Sequence, residues 1–294
     1  MPMLMEAPMM TRSRASRWFS AAIIAVLGFL ALSRAAWAQT PAAPDTAAPP
    51  VRSPEGERIV NFPSADVPRP GTLTILFTHR FSQALEDSDI HSLYSFDSGA
   101  DIGIGLAYTP LTNLDISLYR SSNEDTYELD AKYRVFAAGP FAAALRGGAD
   151  WRTERRLENR SSYFGQAILA LTIGSRVRLT AIPTFVSRVP GNVFAGQQPF
   201  YDRVFNLGGA MSIAVTRTVN VQGEVMPRRS KTDSPGIAWI ASIEKTVPRH
   251  RFAFTVGNQR GTTVDQYVTW TPQFFGQSSH RFYIGFNIVR QWKL

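Results

Sequence analysis

From about Gly71 to the C-terminus, the chain repeats segments of roughly ten residues in which every second position is apolar. In Tyr127-Glu128-Leu129-Asp130-Ala131-Lys132-Tyr133-Arg134-Val135, one face reads Tyr, Leu, Ala, Tyr, Val and the other reads Glu, Asp, Lys, Arg. A period of two puts these sets on opposite faces of a strand. About a dozen such strands without an intervening helix predict an all-β fold, an antiparallel up-and-down transmembrane β-barrel. Its apolar face meets lipid and its charged face lines the interior. The expected strands are 72–81, 100–109, 113–121, 125–136, 141–152, 161–173, 176–187, 202–216, 218–228, 236–247, 250–258 and 281–291.

The connections support an even strand number. Breakers at Thr109-Pro110, Ala138-Gly139-Pro140, Gly174-Ser175, Arg217-Thr218 and Val247-Pro248-Arg249 mark very short turns, whereas 82–99, 188–201, 229–235 and 259–280 are longer. Short periplasmic turns alternating with longer external loops are the rule for bacterial outer-membrane barrels. The segment Thr262 to Thr271 alternates too weakly for a thirteenth strand and reads as an inward-folded loop. Aromatic residues in the outward register gather at strand ends. Phe81, Tyr127, Trp151, Tyr163, Phe205, Trp239 and Phe282 fall on the external side, and Tyr108, Tyr133, Phe141, Phe252 and Trp292 on the turn side. Two girdles of this kind mark the lipid–water boundaries. A soluble sandwich would place its rings mid-strand instead.

The N-terminal residues read as a targeting signal. Arg12, Arg14 and Arg17 form a positive region, Ala21 to Leu32 an apolar one, and Ala36-Trp37-Ala38 an A-x-A cleavage site. The expected organisation is a signal peptide over 1–38, a Pro/Ala-rich periplasmic lead-in over 39–70, and the barrel over 71–294. Arg52 to Pro70 is less biased than the preceding stretch, and tucking into the barrel mouth is one reading of it. With no Cys, the chain has no lipoprotein anchor, disulfide or thiolate metal site. The net charge of +8 is scattered, and a secreted barrel meets no nucleic acid. These features place the mature protein in the outer membrane of a Gram-negative-type bacterium. Outer-membrane lipid and lipopolysaccharide are its expected surroundings. The final alternating strand, His280 to Ile288 followed by Trp292-Lys293-Leu294, is similar to the strand read by the barrel-assembly machinery, although that strand commonly ends in Phe.

Several segments carry a resemblance. They are Gly71-Thr72-Leu73 running into Thr78-His79-Arg80-Phe81, the Gly-repeated stretch Asp97 to Tyr108, and Tyr119-Arg120-Ser121-Ser122-Asn123. Thr126-Tyr127-Glu128-Leu129 with Lys132-Tyr133, and the closing Gly285-Phe286-Asn287-Ile288-Val289-Arg290, complete the set. Together they resemble an uncharacterised bacterial outer-membrane β-barrel family, domain of unknown function 5777. The resemblance implies the barrel fold and the outer membrane, and no activity.

Catalytic constellations are weak. Asp87-Ser88-Asp89 with His91 is similar to the acidic pair and histidine of outer-membrane proteases, but a facing Asp-x-His element is missing. His91-Ser92 does not form a phospholipase-like Ser–His pair, because neighbours on a strand point to opposite faces. His79, His91, His250 and His280 lack metal-ligand spacing. No enzyme activity and no cofactor are expected.

The interior register is more informative. Glu128, Asp130, Lys132, Arg134, Arg146, Asp150, Arg178, Glu224, Glu244 and Arg251 are expected to line the lumen, with Asp101, Asp115, Arg80, Arg152, Arg176 and Arg228 in the same register. In a wet lumen such charges can form cross-strand ladders. Two functions fit: a narrow channel for small polar or anionic solutes, favoured by the basic excess, or a non-transporting structural or interaction barrel. On this reading, Leu129→Arg is costly in lipid, whereas Asp130→Arg is tolerated in the lumen. Arg155, Arg156, Arg228, Arg229 and Lys231, at expected external ends, are candidates for binding lipopolysaccharide phosphates.

Overall fold

The computed structural model describes residues 58–153, 161–189, 201–228, 236–269 and 281–294. The expected signal peptide and the first part of the lead-in lie outside the described residues, as do Arg155, Arg156, Arg229 and Lys231. Twelve strands follow in chain order: β1 (Thr72–Phe81), β2 (Ala100–Leu111), β3 (Leu114–Ser121), β4 (Thr126–Ala138), β5 (Phe141–Arg152) and β6 (Ser161–Ile173). The second half comprises β7 (Val177–Val189), β8 (Tyr201–Ala214), β9 (Val219–Arg228), β10 (Gly236–Val247), β11 (His250–Gly257) and β12 (Tyr283–Lys293). These are the twelve expected strands, with no end displaced by more than two residues. Each pairs antiparallel with its sequence neighbour, and β1 pairs with β12 from Thr72↔Lys293 to Arg80↔Gly285, so the sheet closes into a barrel.

Alternation sets the two faces. In β4, Thr126, Glu128, Asp130 and Lys132 are buried, while Tyr127, Leu129 and Tyr133 are exposed on the outside. The same register runs around the barrel. Ile104, Leu106, Leu118, Leu145, Leu169, Leu207 and Phe254 all face outward, as a lipid-facing belt requires. The short connections define a turn end of the barrel, where Gly139 and Gly174 adopt φ of +56° and +59°, a region that favours glycine. The opposite end carries the longer connections and is called the loop end. Bulges between Tyr108 and Leu111 in β2 and between Arg134 and Phe136 in β4 locally shift the register close to the turn end.

The barrel is filled by two segments from opposite ends. From the loop end, the β11–β12 connection folds inward as a short helix, α1 (Val264–Thr269), with Thr262, Thr263, Val264 and Tyr267 buried. This is the segment expected as an inward-folded loop. From the turn end, the lead-in passes Gly71, whose N–H donates to the Thr109 carbonyl, and buries residues 59–65. Arg58 and Pro63 are bridged antiparallel and the Ile59 N–H donates to the Phe62 carbonyl at 2.6 Å, so residues 59–62 make a tight turn at the tip of a hairpin.

The assignment of faces makes a direct test. Leu129 is outward and flanked by Leu118 on β3. Leu129→Arg is expected to destabilise the folded barrel in lipid by about 2–4 kcal/mol, the cost of a cation near the midplane. Urea unfolding in phospholipid vesicles measures this, and a loss below about 0.5 kcal/mol would contradict the register.

Candidate functional site

The interior is a binding site for the chain's own lead-in, assembled from strands all around the barrel. Arg58 reaches Glu128 on β4 (Nη2–Oε1 2.8 Å), donates from Nη1 to the Thr262 carbonyl at 2.6 Å, and lies 4.3 Å over the Tyr119 ring. Tyr119 can lean there because β2 carries glycine opposite it. A Cβ on Gly103 would sit 1.8 Å from the Tyr119 hydroxyl oxygen. The Gly-repeated stretch of β2 is thus a slot for a tyrosine ring, which Thr78 anchors by a 2.6 Å hydroxyl–hydroxyl hydrogen bond.

The tip of the hairpin is gripped by a carboxylate. Glu224 on β9 accepts hydrogen bonds from three successive backbone N–H groups, Val60 (2.6 Å), Asn61 (3.0 Å) and Phe62 (2.9 Å). Successive N–H groups converging on one anion form a concave nest. Asn287 on β12 donates to the Val60 carbonyl at 3.0 Å, and Arg80 on β1 bridges Asn61 Oδ1 (3.0 Å) and Asn287 Oδ1 (2.8 Å). Nearer the turn end, Arg178 on β7 forms two bonds of 2.8 and 3.0 Å with the Asp66 carboxylate, while Lys132 Nζ donates to the Asp66 carbonyl at 2.8 Å.

Around this hairpin the wall divides into two sectors. On β3 to β6, Arg146 donates to both Asp130 oxygens (2.8 and 2.7 Å), to Glu128 (2.7 Å) and to Gln166 (3.0 Å), and Ser117 also donates to Asp130. Helix α1 joins this network. The Val264 N–H donates to Glu128 Oε2 at 2.7 Å, the Asp265 N–H to Asp150 at 3.2 Å, and Arg152 pairs with the Asp265 carboxylate. The second sector is apolar. Ile168, Ile182, Val186, Val204, Met226 and Ile240, all facing inward, cluster with Phe62, Val264 and Tyr267. Phe62 and Tyr267 approach at 5.2 Å between ring centroids, so the two inserted segments touch in the lumen.

A family model for a membrane-bound β-barrel domain, DUF5777, matches residues 55–292. The chain belongs to that family. Its match begins inside the lead-in, so the inserted hairpin falls within the family domain. Among solved structures, the NanC porin is similar at 9% identity, covering 76% of this chain and 100% of that one, with a TM-score of 0.50. An outer-membrane channel from Pseudomonas putida F1 is similar at 11% identity (77% and 97% covered, TM-score 0.44). Outer membrane phospholipase A from Escherichia coli is likewise similar at 11% identity (86% and 94% covered, TM-score 0.41). At these identities the likeness shows the barrel fold alone. No curated protein matches the chain.

Of the ten lumen residues expected from the sequence, nine are buried inside the barrel: Glu128, Asp130, Lys132, Arg146, Asp150, Arg178, Glu224, Glu244 and Arg251. Arg134 is half-buried at the turn-end rim beside the β4 bulge, where its guanidinium donates twice to Asn113 Oδ1 at 3.0 and 2.6 Å. Arg251 lies 3.7 Å from Glu244 on the adjacent strand. The backbone of Arg228 ends β9 at the loop end. Arg176 is exposed at a turn.

Three expectations change. The lumen is not a wet passage lined by charge ladders. Inserted protein fills it, and cavities beside Asp115 and Lys132 and beside Glu244 and Arg251 hold about 10 Å³ each, room for roughly one water. Nor is the described wall basic in excess. Arg80, Lys132, Arg146, Arg152, Arg178 and Arg251 stand against Asp101, Asp115, Glu128, Asp130, Asp150, Glu224 and Glu244. Asp130→Arg, expected to be tolerated, would set a third cation beside Arg146 and Lys132 in a dry site. Elsewhere, Phe81 keeps its outward register but is covered by Phe96 of the 82–99 loop, at 5.2 Å. In that loop Asp87 pairs with Arg281, and Asp89 caps a 3-10 turn by accepting from the His91 and Ser92 N–H groups. Both carboxylates thus have local structural roles.

The residues that sequence reasoning missed are those of the hairpin and the helix: Arg58, Asn61, Phe62, Asp265 and Tyr267, with Tyr119 and Asn287 as their wall partners. A signal was present. The run Ala167-Ile168-Leu169-Ala170-Leu171 is apolar on both faces, which marks a strand covered on both sides rather than one facing water.

Removing one partner of the buried ion network leaves uncompensated charge. Arg146→Met, which strands Glu128 and Asp130, is expected to cost about 3–5 kcal/mol. Asp130→Arg is expected to cost at least as much. Urea-unfolding midpoints in detergent compare both with wild type, and an Asp130→Arg barrel of undiminished stability would refute the dry lumen.

Proposed function

We propose that this protein is an outer-membrane channel for small polar solutes that is held shut by its own lead-in hairpin. One observation carries the reading: the hairpin enters from the turn end and occupies the centre of the lumen, and although Ile59, Val60, Phe62 and Ala65 join the apolar cluster, Arg58, the backbone N–H groups of its tip and Asn61 are held by the charged and polar wall groups Glu128, Glu224, Arg80 and Asn287. Buried charges are an inefficient way to build a permanent plug, since well-packed apolar residues are often equally or more stabilising. A wall of Glu128, Arg146, Arg80 and Glu224 has partners in two states, the docked hairpin or water. The mixed signs of the wall give no ground for anion preference, so that part of the sequence expectation is set aside.

In this arrangement the turn end lies in the periplasm and the loop end outside, following the secretion signal and the loop lengths. Lipopolysaccharide would surround the loop end, where Arg155, Arg156, Arg228, Arg229 and Lys231 are its candidate phosphate partners. The barrel-assembly machinery would receive β12, the strand that closes the barrel. Transport of this kind requires no catalytic group. A second reading, a structural barrel that never opens, draws on the apolar sector packed against Phe62, Val264 and Tyr267.

Planar-bilayer recording separates the two. Wild-type protein is expected to be silent or to open rarely. Arg58→Ala combined with Asp66→Ala removes the ion pairs to Glu128 and Arg178, and is expected to give resolved step currents. A variant that folds, by its heat-modifiable gel mobility, yet stays silent would favour the structural barrel.

Orientation is tested on intact cells. A single Cys at the exposed Leu93 in the 82–99 loop is expected to react with a membrane-impermeant maleimide, and one at Pro248 is not. The reverse pattern would invert the topology.

A further inference from the structure

We propose that the lumen vacated by the hairpin is a peptide-binding site, so that short peptides are the solute class of the channel. The inference rests on the channel reading above and deepens it. The hairpin is itself a peptide in the lumen, and much of what holds it is addressed to groups that every peptide has. Glu224 takes three successive main-chain N–H groups, Asn287 donates to one main-chain carbonyl, and Lys132 donates to another. These wall groups sit on β9, β12 and β4, so main-chain recognition is distributed around the lumen rather than confined to one spot.

The side-chain contacts add features suited to a zwitterion with an apolar body. Arg178 receives a carboxylate through two bonds, Glu128 receives a guanidinium, and the apolar sector receives one aromatic ring. The ring position is shaped by Gly208 on β8. A Cβ there would lie 2.9 Å from both a Phe62 ring carbon and Met226 Cε, so glycine leaves the room that Phe62 occupies. A solute bearing one sign of charge would leave part of this wall unmatched, whereas a peptide carries an ammonium, a carboxylate and a row of amides.

The test uses the full chain with Arg58→Ala and Asp66→Ala, solubilised in detergent. Fluorescence anisotropy follows a dye-labelled Ala-Ala-Phe-Ala peptide, its backbone N-methylated twin, and dye-labelled maltotriose as a polar solute without amides. The plain peptide is expected to bind, and the N-methylated twin at least about tenfold more weakly, because hydrogen bonds to a carboxylate are lost. Maltotriose is expected not to bind, and the wild-type chain to bind the peptide at least about tenfold more weakly, since its own hairpin holds the site. Adding Glu224→Ala to the variant should abolish the difference between the plain and N-methylated peptides. Equal binding of the two peptides by the Arg58→Ala, Asp66→Ala protein, or tighter binding of maltotriose, overturns the proposal. Bilayer currents through the same protein keep the two readings apart. Currents without amide-dependent binding overturn the peptide site and leave the channel, whereas amide-dependent binding without currents supports the site and overturns the channel.

Discussion

Closure of β1 on β12 leaves the sheet without an edge, and the rest of the structure follows from that. In hydrocarbon every backbone N–H and C=O must find a protein partner, so strands can cross only as a closed ring. A ring of twelve strands lies between small barrels, whose own side chains fill them, and wide porins, which hold a column of water. Wall side chains alone do not fill an interior of this width. The chain solves this with the hairpin tip from one end and helix α1 from the other, which meet where Phe62 packs on Tyr267.

The division of the wall into an ionic and an apolar sector decides what the inserted segments can be. Against the apolar sector the lead-in presents Ile59, Val60, Phe62 and Ala65, and the helix presents Val264, Tyr267 and Val268. Against the ionic sector they present Arg58, Asp265 and backbone N–H groups, so that Glu128 is satisfied by Arg58, Arg146 and the Val264 amide together. Carboxylates taken out of water need that many donors, because desolvating each ion costs several kcal/mol. The same groups would be solvated if the hairpin left, whereas the apolar sector would lose the part of its cover that Ile59, Val60, Phe62 and Ala65 provide. Opposing preferences in one lumen set a finite cost for opening.

How much of this was legible in the sequence depends on the range of the interactions. Strand positions, the two faces and the turn glycines follow from local alternation and breakers, which is why the ends of β1, β5 and β6 fall where the pattern puts them. The inward acids and bases followed from the same parity. What parity could not supply is the identity of their partners. Arg58 meets Glu128 seventy positions away and Val60 meets Glu224 across 164. Pairings of that range depend on the closed barrel, and the lead-in has no strand period of its own. The Pro-broken composition of residues 52–70 suggested a lead-in that at most tucks into the barrel mouth, because composition reports the cost of burying a core alone, not the benefit of entering one built by other strands. The both-faced apolar runs Ala167 to Leu171 in β6 and Ile237 to Ala241 in β10 were local clues that the interior is dry there.

The hairpin's partners also constrain the order of assembly. Arg80, Glu128, Arg178, Glu224 and Asn287 belong to β1, β4, β7, β9 and β12, and they converge on one segment only when those strands stand in their final register around the ring. An open sheet would offer the lead-in isolated charges at wide spacing, each better served by water. Docking therefore follows closure and is coupled to it. A tightly docked hairpin ties the β1–β12 seam, through Arg80 and Asn287, to the opposite wall at Glu128 and Arg178. Stability of the barrel and occupancy of its lumen are then two expressions of the same set of contacts.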